Sequence, residues 1–220
     1  MALTKFNYNS FDVTPVASTT MAFNSGANGL TTMSAGAMTL IKTVTASSDS
    51  TIDFVDGTSD VVLDNTYPIY LFKFINIHPS ADGAELMFQA NASGGSGFNE
   101  TVTITFFLAL HNEADGTTNL VYEGDHDSAQ GTAYTELHGQ NSSDSDHGCN
   151  GSLTLFNPSS TTFVKHFFGR FSGTSSGDFE RDDFPAGYFN TTSAIDEISF
   201  KFNSGNIDSG TIKLYGIKDS

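Results

Sequence analysis

Residues 68–78 read Pro-Ile-Tyr-Leu-Phe-Lys-Phe-Ile-Asn-Ile-His, and this stretch decides the fold class. On an extended chain Ile69, Leu71, Lys73, Ile75 and Ile77 point one way, and Tyr70, Phe72, Phe74 and Asn76 the other. Both sides are largely apolar, so the segment is expected to be a central strand covered on two faces. Residues 101–111 (TVTITFFLALH) set Val102, Ile104, Phe106, Leu108 and Leu110 against Thr101, Thr103 and Thr105, the pattern of a half-buried strand entering a fuller core.

Outward from these two, strands are expected at residues 38–45, 51–55, 84–90, 119–122, 152–156, 163–171, 186–189, 195–202 and 211–217. Gly, Asn, Asp and Ser punctuate them, and no helical period is sustained. That pattern predicts an all-β chain folded as an antiparallel β-sandwich, with jelly-roll topology expected. Residues 38–220 form the sandwich domain in this reading. Residues 1–37 are rich in Ser, Thr, Asn, Gly and Ala and hold neither period, so they are expected to be an extended arm. Leu3, Phe6, Phe11 and Val13 are its docking anchors, against its own domain or a neighbouring subunit. Two long polar stretches, 123–151 and 172–184, read as loops and as the contact surface. Tyr122, Tyr134, Phe179 and Tyr188 lie in or near them as contact aromatics.

Composition narrows the partners. The 220 residues suffice for one large domain, and the 20 Phe against 7 Tyr and no Trp suit a packed sandwich core. Net charge is −16, from 25 carboxylates and 9 Lys and Arg. Such a field repels phosphate backbones and anionic lipid, so neither nucleic acid nor membrane insertion is expected. Cys149 is alone, which excludes an internal disulfide. The opening Met-Ala-Leu-Thr-Lys begins no secretory apolar region, and synthesis in a bacterial cytoplasm is the expectation.

The chemistry-bearing residues are few. Asp125-His126-Asp127 and Asp144-Ser145-Asp146-His147 offer hard oxygens, so Asp125, Asp127, Asp144 and Asp146 form a candidate Ca²⁺ set. Neither stretch has EF-hand spacing, and a solvated acidic loop is the leading reading of both. His126, His138, His147 and Cys149 hold no established zinc spacing. A Gly-x-Ser-x-Gly elbow is missing, and Gly94-Gly95-Ser96-Gly97 opens no helix. No Trp is available as a sugar platform. A non-enzyme without a cofactor is expected, Ca²⁺ being the one alternative.

Three blocks carry a resemblance: Leu155-Phe156-Asn157-Pro158-Ser159-Ser160-Thr161-Thr162-Phe163-Val164-Lys165-His166-Phe167, residues 186–196 (AGYFNTTSAID), and residues 204–217 (SGNIDSGTIKLYGI). With residues 70–79 upstream, they resemble a family of small virion proteins from tailed phages of marine bacteria, including cyanobacteria. The likeness spans about residues 30 to 217. It implies a β-rich particle component and supplies no catalytic residues.

The expectation is therefore a phage virion structural protein on the particle surface, most of all a tail-fibre or other appendage component in host attachment. The alternative is a capsid decoration protein that coats or cements the head. A glycan-binding or glycan-cleaving sandwich is third. Expected partners are other virion proteins, further copies of the chain in a homo-oligomer (a trimer by the common symmetry of phage β-appendages) and a host surface glycan.

Overall fold

The computed structural model describes residues 19–23, 30–34 and 37–218. The chain divides between Ala37 and Met38 into two compact units. In the first, β1 (Thr19–Phe23) and β2 (Leu30–Ser34) pair as an antiparallel hairpin. Its strand signal lies in Thr19, Thr20, Thr31 and Thr32, β-branched residues that suit a pleated chain. The reading of residues 1–37 as a segment without strands is corrected there. The anchors Leu3, Phe6, Phe11 and Val13 lie outside the described residues.

The second unit holds thirteen strands in two packed antiparallel sheets, an all-β sandwich. They are β3 (Met38–Thr45), β4 (Ile52–Val55), β5 (Ile69–Pro79), β6 (Ala84–Ala92), β7 (Val102–Asn112), β8 (Thr118–Tyr122), β9 (Ser128–Gly131), β10 (Thr135–Asn141), β11 (Cys149–Phe156), β12 (Lys165–Thr174), β13 (Phe179–Phe189), β14 (Ile195–Phe202) and β15 (Ile207–Ile217). One sheet runs β10-β6-β14-β4. The other runs β3-β15-β5-β11-β12-β13-β7, and β8 and β9 share the far edge of β7.

The pairing is nested. β3 pairs with β15, β4 with β14, β5 with β11, and β6 with β10. Two insertions interrupt this scheme: β7–β9 fall between β6 and β10, and β12–β13 between β11 and β14. All five inserted strands join the larger sheet beyond β11.

The core is a lattice of Phe edges, with ten buried Phe among the described residues. Phe200 on β14 meets Phe72 and Phe74 on β5 edge-on, with ring centroids at 5.2 and 5.0 Å. Phe54 and Phe88 flank it at 6.1 and 6.3 Å. Edge-to-face contact of this kind adds to the area each ring buries. β12 alternates cleanly, with Lys165, Phe167, Gly169, Phe171 and Gly173 inward and His166, Phe168, Arg170 and Ser172 outward.

Two expectations are corrected. The strand over 69–79 is covered on one face only: Tyr70, Phe72 and Phe74 are buried, while Lys73 and Ile75 are exposed. Asn76 then adopts φ 50°, which breaks the alternation and turns Ile77, expected beside Ile75, into the core. The second correction concerns the two long polar loops. Residues 123–151 contain β9, β10 and the start of β11, and residues 172–184 reduce to a turn at 175–178 between β12 and β13. β10 is buried along both faces yet has one large apolar residue, Leu137, so no hydrophobic alternation marks it.

Phe200→Ala is expected to cost about 3–5 kcal/mol, because it empties the centre of the ring lattice. Phe168→Ala, at a 52% exposed position, is expected to stay within roughly 0.5 kcal/mol. Urea unfolding midpoints of the two variants check both.

Candidate functional site

The polar residues of β10 and β13 meet one another. Asp183 is fully buried and accepts from Arg181 Nε at 2.9 Å and from the Gly139 amide at 2.9 Å. His138, also fully buried, holds Nδ1 2.8 Å from Asp183 Oδ2, a contact close in distance but poorly directed; its Nε2 has no partner. Arg181 reaches Glu136 Oε1 at 3.4 Å, and Glu136 Oε2 contacts His126 Nδ1. A chain of five ionisable groups thus runs from the core, His138–Asp183–Arg181–Glu136–His126, and ends at the surface.

At that surface end is a cleft of about 340 Å³ lined by Glu85, Asp125, His126, Asp127, Tyr134 and Glu136 among others. Burial pushes the Glu136 carboxyl above its ordinary range, opposed by the hydrogen bond from His126. That same bond raises His126, against the effect of its own burial. Both shifts favour a proton retained between the two groups. Tyr122 donates to Asp127 Oδ2 at 2.5 Å, which raises its phenol. Burial raises Tyr134, whose hydroxyl meets Ser199 Oγ at 2.9 Å. Lys201 Nζ lies 4.3 Å from the Tyr134 ring centroid.

A second cleft, about 460 Å³, opens where β11, β5 and β15 all shift register near Asn76. Asn76, His78, Asp146, His147, Asn150 and Asp208 line it. The buried Nδ1 atoms of His78 and His147 have no hydrogen-bond partner there.

The structure therefore separates the candidate Ca²⁺ set. Asp125 and Asp127 belong to the first cleft; Asp144 and Asp146 flank His147 at the second, each 4.0 Å from its ring. Of the contact aromatics, Tyr134 lines the first cleft, and Tyr122 reaches it only through its hydrogen bond to Asp127. Phe179 and Tyr188 sit at opposite ends of β13, where the Tyr188 ring lies 5.5 Å from that of His166. Glu85 and Glu136 escaped the sequence reading, and so did the grouping of His138 with Arg181 and Asp183, because the pairing of β10 with β6 and the approach of β13 bring these residues together from distant positions.

Cys149 lies beside His138. A Cβ on Gly173 would stand 2.7 Å from His138 Nε2 and 2.9 Å from Cys149 Cβ, so only glycine fits between them. The thiol is 1% exposed, and burial, reinforced by the Asp183 charge, pushes its pKa well up. A reactive cysteine has the opposite environment.

The outer face of the larger sheet has a different character. Of the eight exposed large hydrophobic side chains among the described residues, seven lie on it: Met38, Leu40, Ile75, Phe107, Leu120, Tyr122 and Phe168. Phe107 stacks on Phe184 at 4.7 Å, and Phe156 sits 5.5 Å from Phe168. Lys73 and Lys213 face each other across β5 and β15, and neither makes an ion pair among the described residues. Comparison of the chain with protein-family models, curated proteins and solved structures returns no match.

Removing one partner from a buried ionic network strands the others. Asp183→Ala is expected to cost about 3–5 kcal/mol, measured by urea denaturation. Cys149 is expected to be inert to a thiol-disulfide dye in the native protein and to react at once in denaturant; rapid native labelling would contradict the burial described above.

Proposed function

We propose that the protein is a structural subunit of a phage virion, displayed on the particle surface in an appendage that takes part in host attachment. The observation that carries the reading is the outer face of the larger sheet. Large hydrophobic side chains exposed together on one face of a sheet mark a contact surface. Directly opposed lysines on a sheet repel each other, so Lys73 and Lys213 favour a partner that brings carboxylates to them. In a chain of net charge −16, other copies are such partners, which supports a homo-oligomer packed on this face, with other virion proteins beside it.

The strand order adds support. The nested pairs β3/β15, β4/β14, β5/β11 and β6/β10 are what we read as a jelly roll, two Greek keys rolled from one long ribbon. That architecture recurs in viral capsid and lectin domains. A fold alone does not assign a function, and the surface carries the weight. The clefts at the crossing between sheets and at the β5 bulge present carboxylates, imidazoles and Tyr134, groups that suit the hydroxyls of a host glycan.

Gold-labelled antibody against the chain is expected to decorate the tail or its fibres on intact particles. Label spread over the head would assign capsid decoration in its place, and unlabelled particles would overturn the virion reading. Phe168→Asp with Leu40→Asp is expected to leave the melting temperature unchanged while the purified chain loses its self-association.

A further inference from the structure

We propose that Glu85, His126 and Glu136 form a binding site for one first-row divalent transition ion of the Zn²⁺ class. The inference is independent of the virion reading.

The three residues come from separate parts of the fold: Glu85 from β6, His126 from the turn between β8 and β9, and Glu136 from β10. One donor atom from each lies within 4.8 Å of the other two. Tetrahedral coordination at about 2.0–2.2 Å from the ion sets such atoms roughly 3.3–3.6 Å apart, a closure that side-chain rotation supplies.

The surroundings prepare each donor. Glu136 is 4% exposed, and its Oε1 faces Arg181, which leaves Oε2 toward His126. Glu85 Oε2 accepts from Asn203 Nδ2 at 2.9 Å, the Glu85 amide donates to Asn203 Oδ1 and the Asn203 amide to the Glu85 carbonyl, so this carboxylate also has one oxygen fixed and one free. The His126 ring packs 5.4 Å from that of Phe106. Outer partners that hold one end of each ligand are characteristic of metal sites. The open side faces the cleft, from which water completes the tetrahedron.

Charge points the same way. Four carboxylates line this cleft, with His126 as its one basic residue, and Arg181 behind it is shared with Asp183. A nearly buried carboxylate calls for a compensating cation. One imidazole nitrogen with two carboxylate oxygens suits Zn²⁺ and its neighbours, while Ca²⁺ takes six to eight oxygens.

The test is calorimetric titration of chelator-stripped protein with Zn²⁺ and Ca²⁺, read beside thermal melting. One Zn²⁺ per chain with micromolar or tighter affinity, a raised melting temperature and much weaker Ca²⁺ binding are expected. Glu85→Gln and His126→Gln should each weaken Zn²⁺ at least tenfold, and Asn203→Ala by about 10–100-fold, while Asp144→Asn at the other cleft changes nothing. Should one variant fail to fold, the other two still decide. Binding weaker than millimolar, or binding that Glu85→Gln and His126→Gln leave unchanged (an adventitious ion only), overturns the proposal.

Discussion

One buried anion constrains much of this molecule. Asp183 has no exposure to solvent, and Arg181 Nε, the Gly139 amide and His138 Nδ1 all stand within 2.9 Å of its carboxylate. Such a pair adds little net stability over an apolar replacement, because desolvation cancels most of the attraction. Its effect is on register. An apolar β10 would slide against the facing sheet at small cost. A β10 that must bring Gly139 and His138 to one carboxylate has one acceptable position.

The same requirement runs through β13. Its alternation sends Arg181 and Asp183 inward, so Asp182 and Phe184 must face out. There Arg170 grips Asp182 at 2.7 Å and lies over the Phe184 ring, while Phe184 stacks on Phe107. The outer pair is exposed on its arginine side, so solvent screens it and it adds little to stability. Its chemistry resembles that of Arg181–Asp183, but solvent makes the two unequal. A one-residue slip of β13 would exchange them, placing Phe184 in the seam and the buried ions in water. The inner network thus also fixes which residues form the hydrophobic outer face.

This explains what could be read from the chain and what could not. Strands with apolar alternation were legible almost to the residue: β3 and β14 begin and end where the pattern does, and β5 and β7 within a residue. Residues 123–151 and 172–184 were not, because their inward positions are Glu136, His138, Arg181 and Asp183. These residues answer one another across the fold, so no local pattern announces that they are buried. Asn76 failed differently: a left-handed residue inside an otherwise regular run reverses the facing of Ile77 without altering the apolar count. At the candidate site, Asp125, His126 and Asp127 stood out as a string, whereas Glu85 and Glu136 are lone acids in sequence and become neighbours through the pairing of β6 with β10.

The cleft itself follows from unequal sheets. Four strands cannot cover nine, and the inserted strands β12, β13 and β7–β9 extend the larger sheet past β11. Phe106 and Leu108 on β7 are buried but stand apart from the main hydrophobic cluster. Phe106 is covered by Arg181, 6.0 Å from its ring centroid, and by the His126 ring. The chain that leaves β9 to begin β10 crosses from the wide sheet to the narrow one at this overhang. Because charged side chains cover this apolar ring, Arg181 from β13 and His126 from the β8–β9 turn, counter-charges must stand beside them, and these are Glu136 on β10 and Asp183 on β13. The carboxylate-lined opening is the outward end of that cover, placed by the same mismatch in sheet width that the insertions create.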